Sequence, residues 1–476
     1  MASLSAPTSV LSSQSFSSFD RLVALVMIVA VGLILLTIAL GDRVGVSLRR
    51  VTPLENAHST SAITLQFDEP MDRPTAETRL RTDPPTTGTF SWTGTTLNYY
   101  PDAPLNPGTS YTVILERGAR AESGREMVSE YRYNFTVMQP RVAYLYPADD
   151  FPQNIWVVEV DDPASAQQLT FSPSGIYDFS VSPDGSQIAF AENNTNGTMD
   201  IKLLTLDTGA LLQLTNCADS TCSTPVWRPD GRMIAYERID YNTALEGIGA
   251  SPVRIWTLDM NSYPPATRPL FSDLQILGYN AQWSADGSRI ALVDRGTSAI
   301  LVYDFTTGET LAIPTTSGTY GALSPDGRQI ITSSITLVEG EGAQARVKTQ
   351  IIDLDANTVF PLSVPADSFD DKRVQWSPDG TRLVISRDNP NLINGTQLYV
   401  VNPVDGTYEM LTDDPEYAST FFYWNPTGTQ LVSQRLPLGA NGMSDPLSRP
   451  EIWVIDAVTG DGIRLAHNGY LPRWIP

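Results

Sequence analysis

From residue 141 onward, apolar residues come in short runs broken by Pro, Gly, Asn and Asp. Runs of that length, rich in Val, Ile, Tyr and Trp, make strands rather than helices. Seven of them, at 154–158, 200–204, 254–258, 299–303, 350–354, 397–401 and 451–455, are each read as the third strand of a four-stranded unit. Second strands precede most of them, for example at 188–190, 233–236 and 382–385.

A tetrapeptide returns before each second strand. Ser182-Pro183-Asp184-Gly185 recurs as Arg228-Pro229-Asp230-Gly231, Ser284-Ala285-Asp286-Gly287, Ser324-Pro325-Asp326-Gly327, Ser377-Pro378-Asp379-Gly380 and, degenerated, Asn425-Pro426-Thr427-Gly428. Proline presets the first corner of a tight turn, Asp bonds the local backbone and Gly takes the positive φ. These aspartates therefore read as turn residues, not as catalysts or metal ligands. Separations of 46, 56, 40, 53 and 48 residues suit one propeller blade per repeat.

The strands number seven and the turns six, a mismatch that has a topological answer. The chain ends Leu471-Pro472-Arg473-Trp474-Ile475-Pro476, an inner strand that stops before its turn, and its continuation stands at 141–147. A seven-bladed ring closed by one blade built from both ends follows, which leaves no free sheet edge. Of the nine tryptophans, Trp227, Trp283, Trp376, Trp424 and Trp474 precede the turn, and Trp156, Trp256 and Trp453 sit in third strands. Such periodic placement predicts packing between blades, with Trp92 in a separate core.

The N-terminal third is patterned differently. Residues 22–40 carry no charge over nineteen positions, about the reach of a bilayer core for a helix. A cleaved signal peptide with its site at Ala39-Leu40-Gly41 is the competing reading, but the stretch exceeds the usual apolar length of such signals. It is read as a membrane anchor following a polar, disordered tail at 1–21. From 51 to 138 apolar residues alternate, as in Ile63, Leu65 and Phe67 or Tyr131, Tyr133, Phe135 and Val137, which predicts a β-sandwich. The fold class is thus all-β: a seven-bladed propeller at 141–476, a sandwich at 51–138 and one N-terminal helix.

A formal charge of −22 leaves no basic footprint for nucleic acid. The only two cysteines, Cys217 and Cys222, stand five apart, where a small disulfide could pin a connection between blades; with no histidine nearby they are half a metal ligand set. Arg43, Arg49 and Arg50 after the apolar stretch would, counted alone, keep the large domains inside. The cysteine pair, and the indifference of long translocated domains to flanking charge, favour an extracytoplasmic bulk. No Gly-x-Ser-x-Gly elbow, HExxH, phosphate loop or EF-hand pattern occurs, and the two histidines, His58 and His467, read as structural. No catalytic residue, cofactor or metal site is assigned. The long second-to-third connections beginning at 237, 334 and 436 offer Asp240, Tyr241, Glu246, Glu339 and Glu341 as weak candidates for contact with a cation or basic partner.

Two resemblances add to this. Phe67-Asp68-Glu69-Pro70-Met71-Asp72, Trp92, Tyr100-Pro101 and 105–113 resemble the SbsA-type bacterial Ig-like domain, which implies a spacer or adhesion module of a cell envelope protein. The Trp-Ser-Pro-Asp-Gly turn, with the later Asp304-Phe305-Thr306-Thr307-Gly308 and Asp456-Ala457-Val458-Thr459-Gly460, resembles the TolB-like, WD-repeat-like propellers. That family includes periplasmic binding proteins, scaffolds and the propellers of serine peptidases, so it implies fold more than function. The expectation is a membrane-anchored extracytoplasmic binding or scaffold protein and no enzyme. A propeller-channel hydrolase or lyase and an extracytoplasmic sensor are the alternatives.

Overall fold

The computed structural model describes residues 17–41, 45–241, 249–315, 320–338, 344–362, 369–388, 395–439, 442 and 447–476. The expected polar tail up to residue 16 lies outside them. One apolar helix, Ser18–Gly41, starts four residues ahead of the expected segment and contains a stretch, Ser18–Leu36, long and apolar enough to cross a membrane.

A sandwich of two four-stranded sheets follows. Leu48–Thr52, Ile63–Phe67, Thr96–Pro101 and Gly88–Thr93 pair in that order, facing Asn56–Ala57, Tyr131–Val137, Ser110–Leu115 and Leu80–Asp83. Period two puts Ile63, Leu65 and Phe67 inward, and all three are fully buried. Trp92 stacks on Phe67 with ring centroids 5.9 Å apart. Asp68 and Glu69 are held locally: Ser47 N donates to Asp68, and Arg125 pairs with Glu69 at 2.8 Å.

The remaining strands form seven blades around one axis. Blade 1 takes its inner strand, Tyr470–Ile475, from the C-terminal end and its other three, Arg141–Tyr146, Asn154–Glu159 and Gln167–Gln168, from the N-terminal end, with Trp474 opposite Val142. Blades 2 to 7 begin with the inner strands Ile176–Val181, Ser220–Trp227, Gly278–Trp283, Tyr320–Leu323, Asp370–Trp376 and Tyr417–Trp424. Blades 2 and 3 merge into one sheet through a parallel bridge between Met199 and Thr221. Beside that bridge Cys217 and Cys222 are bonded, with Cα atoms 6.3 Å apart. In blade 5 the expected loop from 334 is largely strand: Gln329–Val338 and Gln344–Asp353 pair along their whole length.

An apolar cluster lies between every pair of neighbouring blades. Ala143 and Ile155 of blade 1 meet Phe179 and Phe190 of blade 2; Val384 and Leu398 of blade 6 meet Phe422 and Leu431 of blade 7. The ring closes the same way, with Val432 and Val454 of blade 7 against Val142, Tyr144 and Trp474 of blade 1. All nine tryptophans sit in, or pack against, core clusters. At three of the five positions before the turn the ring N–H favours Trp over Phe: Trp227 donates to Ser180 O, Trp283 to Val226 O and Trp474 to Tyr423 O, each in the preceding blade, whereas Trp376 and Trp424 find no acceptor among the described residues.

Two polar locks recur among the blades. In the rim turns Ser377 Oγ donates to Asp379 at 2.5 Å while accepting from Arg382 N, and the same pattern holds at Ser182, Ser284 and Ser324. Threonines after the outer strands, Thr170, Thr215 and Thr412, donate to Asn154, Asp200 and Gln397 and accept the next backbone N–H, tying the outer strand to the third.

The sandwich touches the ring at its seam. Residues 138–140 alone separate the last sandwich strand from Arg141. His58 donates from Nδ1 to Pro476 O at 2.8 Å, and Thr60 donates to Pro183 O in the first rim turn at 2.6 Å. Burial lowers the His58 pKa, which favours the neutral ring.

Candidate functional site

Each of the seven inner strands breaks register at one place: Ile176/Asp178, Ser223/Val226, Tyr279/Gln282, Tyr320/Leu323, Asp371/Val374, Ser419/Phe421 and Tyr470/Arg473. Bulges re-aim side chains. Thr224, Asn280 and Leu471 there hold positive φ values of 49, 56 and 48°. The outcome is a central channel of about 690 Å³, lined by residues from all seven blades.

Around this wall the charges are unevenly placed. Asp178 of blade 2 and Glu237 of blade 3 form an acidic arc; Lys372 and Arg373 of blade 6 and Arg473 of blade 1 form a basic one, with Tyr423 of blade 7 between the two arginines. The guanidinium carbons of Arg473 and Arg373 lie 4.1 and 4.9 Å from the Tyr423 ring centre. Burial pushes the Tyr423 phenol up, but the two guanidiniums outweigh it and leave it lowered.

The acidic arc is poorly compensated. Burial pushes Asp178 up to about 7, against the pull of Arg473 and with the Glu237 charge adding to the rise. Glu237 is raised as well, by burial, although Asn280 N donates to its Oε1 at 2.7 Å. Neither carboxylate forms an ion pair within 4.0 Å with a described residue, and neither do Arg373 and Arg473. Asp178 Oδ1 and Arg373 Nε are buried without a hydrogen-bond partner among the described residues. Lys372 differs, lying 3.3 Å from Asp388.

The residues singled out on the long connections are elsewhere. Asp240 accepts from Arg238 at 2.7 Å, and Tyr241 bonds Thr221 at 2.9 Å beside the disulfide. Glu246, Glu339 and Glu341 lie outside the described residues. His467 pairs with Glu451 at 2.8 Å on the outer side of blade 7. Among the described residues no group of three or more His, Cys, Asp or Glu could hold a metal ion.

The channel cluster escaped the sequence because its members stand one per blade. The usable signal was the position immediately before the repeat tryptophan or three before it, which holds Arg473, Tyr423, Arg373 and, at the equivalent place in blade 2, Asp178.

Comparison with known proteins agrees with this architecture. Residues 42–137 match the family model described as a bacterial Ig-like domain. A search of curated proteins finds no match. Among solved structures, puromycin hydrolase (S511A mutant complexed with PGG) is 11% identical, covering 69% of this chain and 52% of its own, with a TM-score of 0.51. TolB from Acinetobacter baumannii is 19% identical over 70% of this chain and 79% of its own, TM-score 0.39. An oligogalacturonate lyase in complex with manganese is 17% identical over 68% and 84%, TM-score 0.49. The chain therefore combines a β-propeller with a preceding unit that matches the bacterial Ig-like domain model and an apolar N-terminal helix. At these identities the likeness is one of fold.

Proposed function

We propose that this is a membrane-tethered, extracytoplasmic binding or scaffold protein with no reaction of its own. The apolar helix anchors it, the Ig-like unit spaces it from the surface, and the propeller receives a protein or envelope ligand. The observation that carries this reading is the channel, where Asp178, Glu237, Arg373 and Arg473 converge without an ion-pair partner among the described residues. Unpaired charge in a half-buried wall is costly, and a complementary ligand would offset that cost. The Cys217–Cys222 disulfide supports an oxidising compartment.

One observation favours a second reading, an enzyme working in the channel. Asp178, raised to about 7, and Tyr423, lowered between two guanidiniums, share one wall, and perturbed pairs of this kind can move protons. A single experiment separates the two. The full chain in detergent is screened for thermal stabilisation by envelope-derived solutes and captured proteins, and each stabilising solute is recovered and weighed by mass spectrometry. Recovery unchanged supports binding, conversion supports catalysis, and no stabilisation by any solute or protein overturns the channel as a recognition site.

A further inference from the structure

Carboxylates and guanidiniums without an ion pair among the described residues occupy two arcs of the channel, blades 2 and 3 for the first and blades 6 and 1 for the second, which meet where blade 1 adjoins blade 2. Glu237 belongs to blade 3 and Arg373 to blade 6, three blades on around a ring of seven and so across the axis. Asp178 and Arg473 continue the two arcs in blades 2 and 1. The wall that separates them on the far side, in blades 4 and 5, is neutral and polar or small: Asn280, Gln282 and Ala322. A simple anion would leave the carboxylates uncompensated, and a simple cation would leave the arginines so.

We infer that the channel takes a zwitterionic solute of short-peptide size, its ammonium group received by Asp178 and Glu237 and its carboxylate by Arg373 and Arg473. This rests on the reading of the propeller as a binding unit. The chemistry fits each end. An ammonium has three donors and Asp178 Oδ1 is a buried acceptor without a donor; a carboxylate accepts and Arg373 Nε is a buried donor without an acceptor. A volume of about 690 Å³ lies within the span of ordinary ligand sites and leaves room for several residues between the two charged ends. Tyr423 lies against both guanidiniums and lines the wall beside them.

The test needs no variant to fold. Calorimetry on the full chain in detergent uses tri-alanine, its N-acetyl derivative and its C-terminal amide. Tri-alanine is expected to bind, and each derivative to bind roughly ten- to hundredfold more weakly, the usual weight of a charge-assisted contact. Asp178→Asn should abolish the difference between tri-alanine and the acetylated form while keeping the difference from the amide; Arg373→Gln should do the reverse. Equal binding of all three peptides overturns the inference. So does failure of all three while another solute from the stabilisation screen binds, an outcome that leaves the binding reading standing. Failure of every solute, with partner capture insensitive to both variants, removes both.

Discussion

The rim carboxylates and the channel's Asp178 lie on or just after inner strands, at neighbouring positions of the repeat, in opposite surroundings. At the rim, Asp379 accepts from Ser377 Oγ, Thr381 N and Thr381 Oγ1, and the Ser377 bond leads the interactions that hold its pKa below the usual range. In the channel, Asp178 stands four residues before Ser182 with one oxygen unpartnered, and burial lifts it to about 7. The rim spends a carboxylate on shape and is finished by its own neighbours. The channel leaves one unfinished, and in a folded protein an uncompensated polar group marks a place where something else is meant to sit.

The largest expected effect comes from removing both regions' support at once. Deleting residues 471–476 takes out the closing strand, the Trp474 bond to Tyr423 O and Arg473. Cooperative thermal unfolding followed by circular dichroism should disappear; a melting temperature within a few degrees of the parent would break the account of the ring. Next, Asp379→Ala should cost about 1–2 kcal/mol, because it strips a turn of its side-chain acceptor. A denaturant midpoint shifted at constant slope reads that loss, and an unchanged midpoint would show that the rim carboxylates do not hold their turns.

The most discriminating effect is a dependence on pH. A carboxyl whose folded pKa lies above its unfolded value is more protonated in the folded protein, so it withdraws stability as pH rises from the carboxylate range to about 7. Asp178→Asn should therefore raise stability modestly near pH 5, where the penalty has begun to build, and by clearly more near pH 8, where it is complete. The rim gives the opposite sign: lowered carboxylates such as Asp379 stabilise above their unfolded pKa and lose that contribution as pH falls through the folded one. Urea midpoints for Asp178→Asn and parent at about pH 5 and 8 would coincide at both values if Asp178 were an ordinary solvated carboxylate.

What the chain revealed in advance follows the same division. Turn, third strand and seam are local patterns repeated at blade length, so Ser-Pro-Asp-Gly and the split between 470–475 and 141–146 could be read directly. The sandwich was legible for a related reason, since alternation at Ile63, Leu65 and Phe67 maps onto burial. The channel wall is a once-per-turn property of the ring. Arg373, Tyr423, Arg473 and Asp178 are brought side by side only when the circle closes, and Arg473 and Asp178 stand at opposite ends of the domain. Asp240 and Tyr241 drew notice because they sit in a long connection, but their partners lie within their own blade.

The seam contact between His58 and Pro476 has a mechanical side. With only residues 138–140 as the covalent joint and a second grip on the closing strand, the propeller is braced at two points against the sandwich rather than hung from one. A pull entering from the sandwich would be divided between the covalent joint at Arg141 and the end of the closing strand, which lie side by side at the Arg141–Ile475 pair. A load of that kind would be borne by the whole hoop.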